Sequence, residues 1–146
     1  MGAAGDISNG IAAILTGAGI GVLNPSGVSQ PADTAIVMKN VPVSPDRLVT
    51  ITVVPLTDDV AVTQGQVMVQ LRFRGVPNVP LDVDDLGDSV FPLFHGLRST
   101  QMGSVYVVQC LRQQSVPLGH DAAKRWERAD QFYLDVEYPP NSHIPY

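Results

Sequence analysis

A chain of 146 residues is of single-domain size and long enough to bury a core without cross-links. Its 45% hydrophobic and 16% charged content excludes a disordered tail, and a formal charge of −5 excludes a surface built on a global basic field for duplex nucleic acid. A single cysteine, Cys110, excludes an intrachain disulfide and any multi-cysteine zinc site.

The first predicted element is a helix. Ile7, Ile11, Ile14, Leu15, Ala18 and Val22 recur at spacings of three and four, Asp6 or Ser8 is placed to cap the start, and Asn24-Pro25-Ser26-Gly27 is turn chemistry that stops it near Leu23. Three late glycines weaken its end, because each costs up to about 1 kcal/mol against alanine inside a helix. Residues 10–23 are uncharged but shorter than the roughly 20 residues a membrane-spanning helix needs. No Lys or Arg precedes them as in a signal peptide, so a soluble, non-secreted protein is expected.

Residues 34–40 read as a strand, followed by the turn-rich VPVSPDR and a β-branched strand at 48–55. In QVMVQLRFRG the alternation is strict: Val67, Val69, Leu71 and Phe73 face one way, and Gln66, Met68, Gln70, Arg72 and Arg74 the other. Val83, Leu86, Val90, Leu93 or Phe94, and Leu97 then repeat at helical spacing. Asp82, Asp84, Asp85 and Asp88 lie in the opening turns of that helix, against the positive end of its dipole, and Pro92 is expected to bend or break it. Strands follow at 104–113 and 131–138, with residues 114–130 joining them and a proline-rich tail at 139–146. The order α-β-β-β-α-β-β predicts one α+β domain over residues 1–146, a mostly antiparallel or mixed sheet of about five strands with two helices packed on it.

His120-Asp121 is the sharpest chemical candidate, as an oriented imidazole or a pair of metal ligands in a small hydrolase. Its supporting cast is missing: His95 closes a helix, His143 sits in the tail, and no Gly-x-Ser-x-Gly elbow is present. Gly119 and Asp121 favour a connecting loop. TGAGIG closes a helix and lacks the third glycine of a dinucleotide fingerprint, and the four aspartates lack calcium-loop spacing. Cys110, in an apolar strand, reads as a small buried hydrophobe. No catalytic, cofactor or metal residue is therefore assigned. Arg72 and Arg74 share a strand face, and Lys124, Arg125 and Arg128 flank the one tryptophan, Trp126. Tryptophan among arginines is enriched at protein interfaces, so these six residues are the candidate interface.

VMVQLRFRG, DDLGDSVFPLFHGL and GHDAAKRWERADQFYLDVEYP, in that order behind a short leading helix, resemble the minor capsid or tail terminator proteins of siphovirus-type bacteriophages over about residues 5–140. The resemblance implies a structural virion protein with no enzymatic activity and no cofactor. It implies a homo-hexameric ring that caps the tail tube, stops its polymerisation and docks to the connector or stopper proteins of the head. Such a ring belongs at the head-proximal end of the tail, is assembled in the host cytoplasm away from membranes, and lets DNA through without binding it specifically. GHDAAKRWERAD then reads as an exposed hairpin loop offered to a neighbour. A different neck, adaptor or minor capsid ring is the alternative.

Overall fold

A computed structural model describes residues 2–23 and 34–144. In chain order its elements are α1 (Ala3–Gly17), β1 (Val22–Leu23), β2 (Ala35–Met38), β3 (Leu48–Asp58), β4 (Gln64–Arg74), α2 (Asp82–Phe94), β5 (Arg98–Met102), β6 (Val105–His120) and β7 (Trp126–Glu137). One mixed sheet runs in the order β1-β2-β3-β4-β7-β6-β5. The first two pairings are parallel and the rest antiparallel.

The period-2 pattern of β4 sets the layers. Val67, Val69, Leu71 and Phe73 are buried together with Val49, Ile51, Phe132, Leu134 and Val136 from neighbouring strands. Onto this face α1 lays Ile7, Ile11 and Leu15, and α2 lays Val83, Leu86, Val90 and Phe94. Each such side chain contributes about 1.5–3 kcal/mol when fully buried, so the two helices are held by hydrophobic contact with one side of the sheet. A second, small hydrophobic cluster of Ala35, Val37 and Leu48 is buried apart from this core. The α+β architecture and its two helices are as expected, as is the burial of Cys110.

The sheet has seven strands rather than five, and both additions have a physical origin. Helix α1 ends at Gly17 instead of near Leu23, because Gly19 takes φ +75° and turns the chain. That releases Val22 and Leu23 to pair with β2, and Gly21 permits the approach, since a Cβ there would sit 2.4 Å from the Thr34 carbonyl oxygen. Strand β5 is polar, RSTQM, and carries no apolar alternation to betray it. The predicted turn at Asn24–Gly27 lies outside the described residues.

Neither predicted cap acts on α1. Its N-cap is Gly2, without a side-chain bond; the Ser8 hydroxyl donates to the Ala4 carbonyl. Asp6 reaches across to accept from the Ser104 amide (3.1 Å) and hydroxyl (2.7 Å), tying the helix to the β5–β6 turn. Helix α2 runs through Pro92 without a break and is closed by His95. Two residues from the end, the ring forfeits one intrahelical bond and little else.

The largest correction concerns residues 114–130. They do not form a long loop: β6 continues to His120 and β7 starts at Trp126, leaving only 121–125 as the turn. Bulges between Val107 and Gln109, Arg112 and Gln114, and Pro117 and Gly119 interrupt the alternation of β6, so its distal half does not look like a strand in sequence.

Candidate assembly interface

The end of the sheet that carries the β6–β7 turn is built around Asp121. Its Oδ1 accepts the backbone N–H groups of Ala123 and Arg125, each at 3.0 Å, and its Oδ2 takes the Arg125 Nε–H at 2.9 Å. The Arg125 backbone N–H, and then its guanidinium, hold the Asp121 carboxyl below the usual aspartate range. His120 turns away from that carboxylate. Its Nδ1–H donates to the Asp121 carbonyl at 2.8 Å, and its ring meets Trp126 edge-on at 4.9 Å. The pair shapes a turn and does not form an imidazole–carboxylate dyad.

Two buried guanidiniums fasten a second loop to this end. Arg74 donates to the carbonyls of Pro42 and Pro45, both at 2.7 Å, and of Asp46 at 2.8 Å. Arg125 bonds the Val43 carbonyl and, at 3.2 Å, the Asp46 carboxylate. Burial, and then the charge of Arg125 alongside, push Arg74 below the ordinary guanidinium value. A third loop joins through Arg47, 3.1 Å from Asp82, whose carboxylate also accepts the Val76 amide at 2.9 Å. The Asn78 amide bonds the Lys124 carbonyl at 3.0 Å. Residues 42–47, 76–82 and 121–125 thus form one tied platform. From it project the exposed side chains of Val43 (80% accessible) and Leu81 (68%).

Below the platform Arg128 locks β7 to α2. It grips the fully buried Asp130 with two bonds, 2.8 and 2.9 Å, and reaches Asp84 at 3.2 Å and Asp88 at 3.1 Å. Asp130 raises the Arg128 pKa above its ordinary value. The guanidinium lies flat on α2 because Gly87 leaves room; a Cβ there would be 2.6 Å from Arg128 Cζ. Asp130 also accepts from Ser115 at 2.6 Å and from Arg112 at 3.4 Å, and Arg112 stacks 4.2 Å over the Phe91 ring.

Of the six candidate residues, the structure therefore turns Arg74, Arg125 and Arg128 inward and leaves Lys124 exposed, Trp126 half-buried and Arg72 half-buried against Glu127 at 3.0 Å. The carboxylates that neutralise Arg128 were the missed partners. Their signal was present: Asp84, Gly87 and Asp88 stand at i, i+3 and i+4, one helical face with a gap in it. At the opposite end of the sheet an open groove of about 660 Å³ carries Asp58, Asp59, Asp135 and Glu137. Among the described residues no three His, Cys, Asp or Glu side chains are arranged to hold a metal ion.

Arginines thus hold loops and a helix in place at an end of the sheet that presents aliphatic side chains. The bacteriophage tail terminator protein family matches residues 14–138, and the chain belongs to that family. It is accordingly a non-enzymatic structural component of the phage tail, in a family that meets the tail tube. A search of the curated proteins found no match. One solved structure aligns over 96% of this chain and 100% of its own at 15% identity with a TM-score of 0.59, a likeness of fold.

Proposed function

We propose that this protein closes into a homo-hexameric ring that caps the tail tube of a siphovirus-type phage, halts its polymerisation and presents its other side to the connector or stopper proteins of the head. The observation that carries the reading is the family match across residues 14–138. The two sides of the sheet and its two ends differ in chemistry, as head-to-tail contacts around a ring require. The platform is the surface proposed for contact. Lys124, Trp126 and Arg72 meet the neighbour or docking partner, while Arg74, Arg125 and Arg128 hold the backbone that presents them. DNA passes the ring without specific binding, and the ring sits at the head-proximal end of the tail after assembly in the host cytoplasm.

The test is absolute mass by light scattering together with negative-stain images of the same peak and of the protein mixed with tail tubes. Closed six-fold rings, free or only at tube ends, support the proposal. A persistent monomer that ignores tube ends refutes it, and a ring of other symmetry that binds away from tubes points to an adaptor elsewhere in the neck.

A further inference from the structure

The distal half of β6 is a strand with one open side. β5 pairs with β6 only as far as Gln109, and the chain entering β5 bonds it at Cys110 (with Gly96 and Leu97) and Arg112 (with the His95 ring). From residue 113 to His120 the outer edge has no backbone partner among the described residues. A bare edge of this length is the usual template for strand addition by another copy of the same chain.

The direction of each backbone group follows from the ladder. The Gly75 amide donates to the Trp126 carbonyl, so residues 126, 128 and 130 of β7 bond towards β4, and 127, 129, 131 and 133 towards β6. Their partners on β6 are Gly119, Val116, Gln114 and Leu111, which therefore point inward. The outward positions are Arg112, Ser115, Pro117 and His120. The amide of Arg112 is already taken by His95 (3.0 Å), and Pro117 has no N–H to give. The bulges at Arg112/Gln114 and Pro117/Gly119 space the outward positions by three, two and three residues. An incoming strand offers its groups every second residue, so it stays in register over Ser115 and Pro117 alone, and one of those lacks a donor.

We infer that Pro117 and the two flanking bulges are an edge guard: they keep the open edge of distal β6 from pairing with the same edge of another copy, so that copies meet through side-chain surfaces and not by extending the sheet. The guard lets a bare sheet edge stand exposed without seeding open-ended association. The inference stands whether or not the closed assembly is hexameric, because it concerns what the edge refuses.

The experiment compares the full chain with Pro117→Val, and with Pro117→Val combined with deletion of Leu118, which removes the extra residue of the second bulge. Sedimentation velocity over a concentration series is the readout, with circular dichroism to confirm folding. Wild type is expected to hold one defined mass. The folded variants are expected to gain mass continuously with concentration, by roughly a doubling or more at the upper end. Folded variants that keep the wild-type mass overturn the inference. Amide hydrogen exchange on the wild-type assembly gives an independent check that needs no variant. Ser115 should exchange faster than the inward-pointing Gln114 and Val116, and equal protection of all three would mean the edge is occupied, which also overturns it.

Discussion

Replacing Arg128 by methionine should cost more than any other single change at the platform end, and most of that cost should come from one contact. Arg128 makes four bonds, but Asp84 and Asp88 keep 47% and 70% of their side-chain surface in water. Exposed pairs of that kind are worth about 0–1 kcal/mol each. Asp130 is fully buried, and without Arg128 it keeps only Ser115 and a longer contact to Arg112. Removing one partner of a buried ion pair costs about 3–5 kcal/mol. Against a total stability of about 5–15 kcal/mol, that is a large share. At about 3–4 °C per kcal/mol for a chain of this size, the melting temperature should fall by roughly 10–20 °C. Asp84→Asn combined with Asp88→Asn should cost about 1 kcal/mol or less. Arg128→Lys should fall between, because an ammonium cannot reproduce the two-pronged grip. Thermal and urea unfolding of these variants measure each figure. If Arg128→Met lost less than about 1 kcal/mol, or no more than the double aspartate variant, the assignment of the lock to the buried pair would be wrong.

Gly87→Ala should also loosen the lock, since its methyl displaces the guanidinium, and should lower the melting temperature although alanine is the better helix former. The Asp121 carboxyl is depressed in the folded state, so the stability it adds is present above the ordinary aspartate pKa of about 3.9 and is lost as pH falls through its lower folded value. Asp121→Asn should therefore be less stable than wild type near neutrality, and the gap should narrow on acidification below about pH 4 in chemical denaturation. Burial pushes the Cys110 thiol up to about 12, so the native protein should resist alkylation at pH 8 and label fully only in denaturant. Lys124→Glu, at an exposed tip, should leave stability within about 0.5 kcal/mol of wild type and impair ring formation or tube capping in the same images that test the ring.

What could be read in the sequence divides along physical lines. Residues 66–75 were legible because one face meets the core and the other does not, and the burial of Val67, Val69, Leu71 and Phe73 follows that alternation residue by residue. Distal β6 was illegible because three bulges destroy the period on which such a reading depends. Proximal β7 was hidden by charge: Arg128 and Asp130 point to the side of the sheet that carries the helices, where a lone charge would forbid a strand, and only their mutual pairing makes the position tolerable. The candidate interface residues do gather towards one end of the sheet, but the direction of their side chains was not legible in the sequence. Adjacent cations look alike on paper; Lys124 is in water and Arg125 is buried among Asp121, Asp46 and a carbonyl.

That distribution of cations bears on the proposal that DNA passes the ring without specific binding. The chain has nine Lys and Arg residues. Arg47, Arg72, Arg112, Arg125 and Arg128 are held in salt bridges, and Arg74 is enclosed by loop carbonyls. Lys39, Arg98 and Lys124 are left with no ion pair among the described residues. Affinity for a phosphate backbone scales with the number of cations free to displace its counterions. A chain that commits most of its guanidiniums to its own architecture has few left for that purpose, while Asp58, Asp59, Asp135 and Glu137 remain in an open groove. The same economy that fixes the platform therefore leaves few cations free to engage a phosphate backbone.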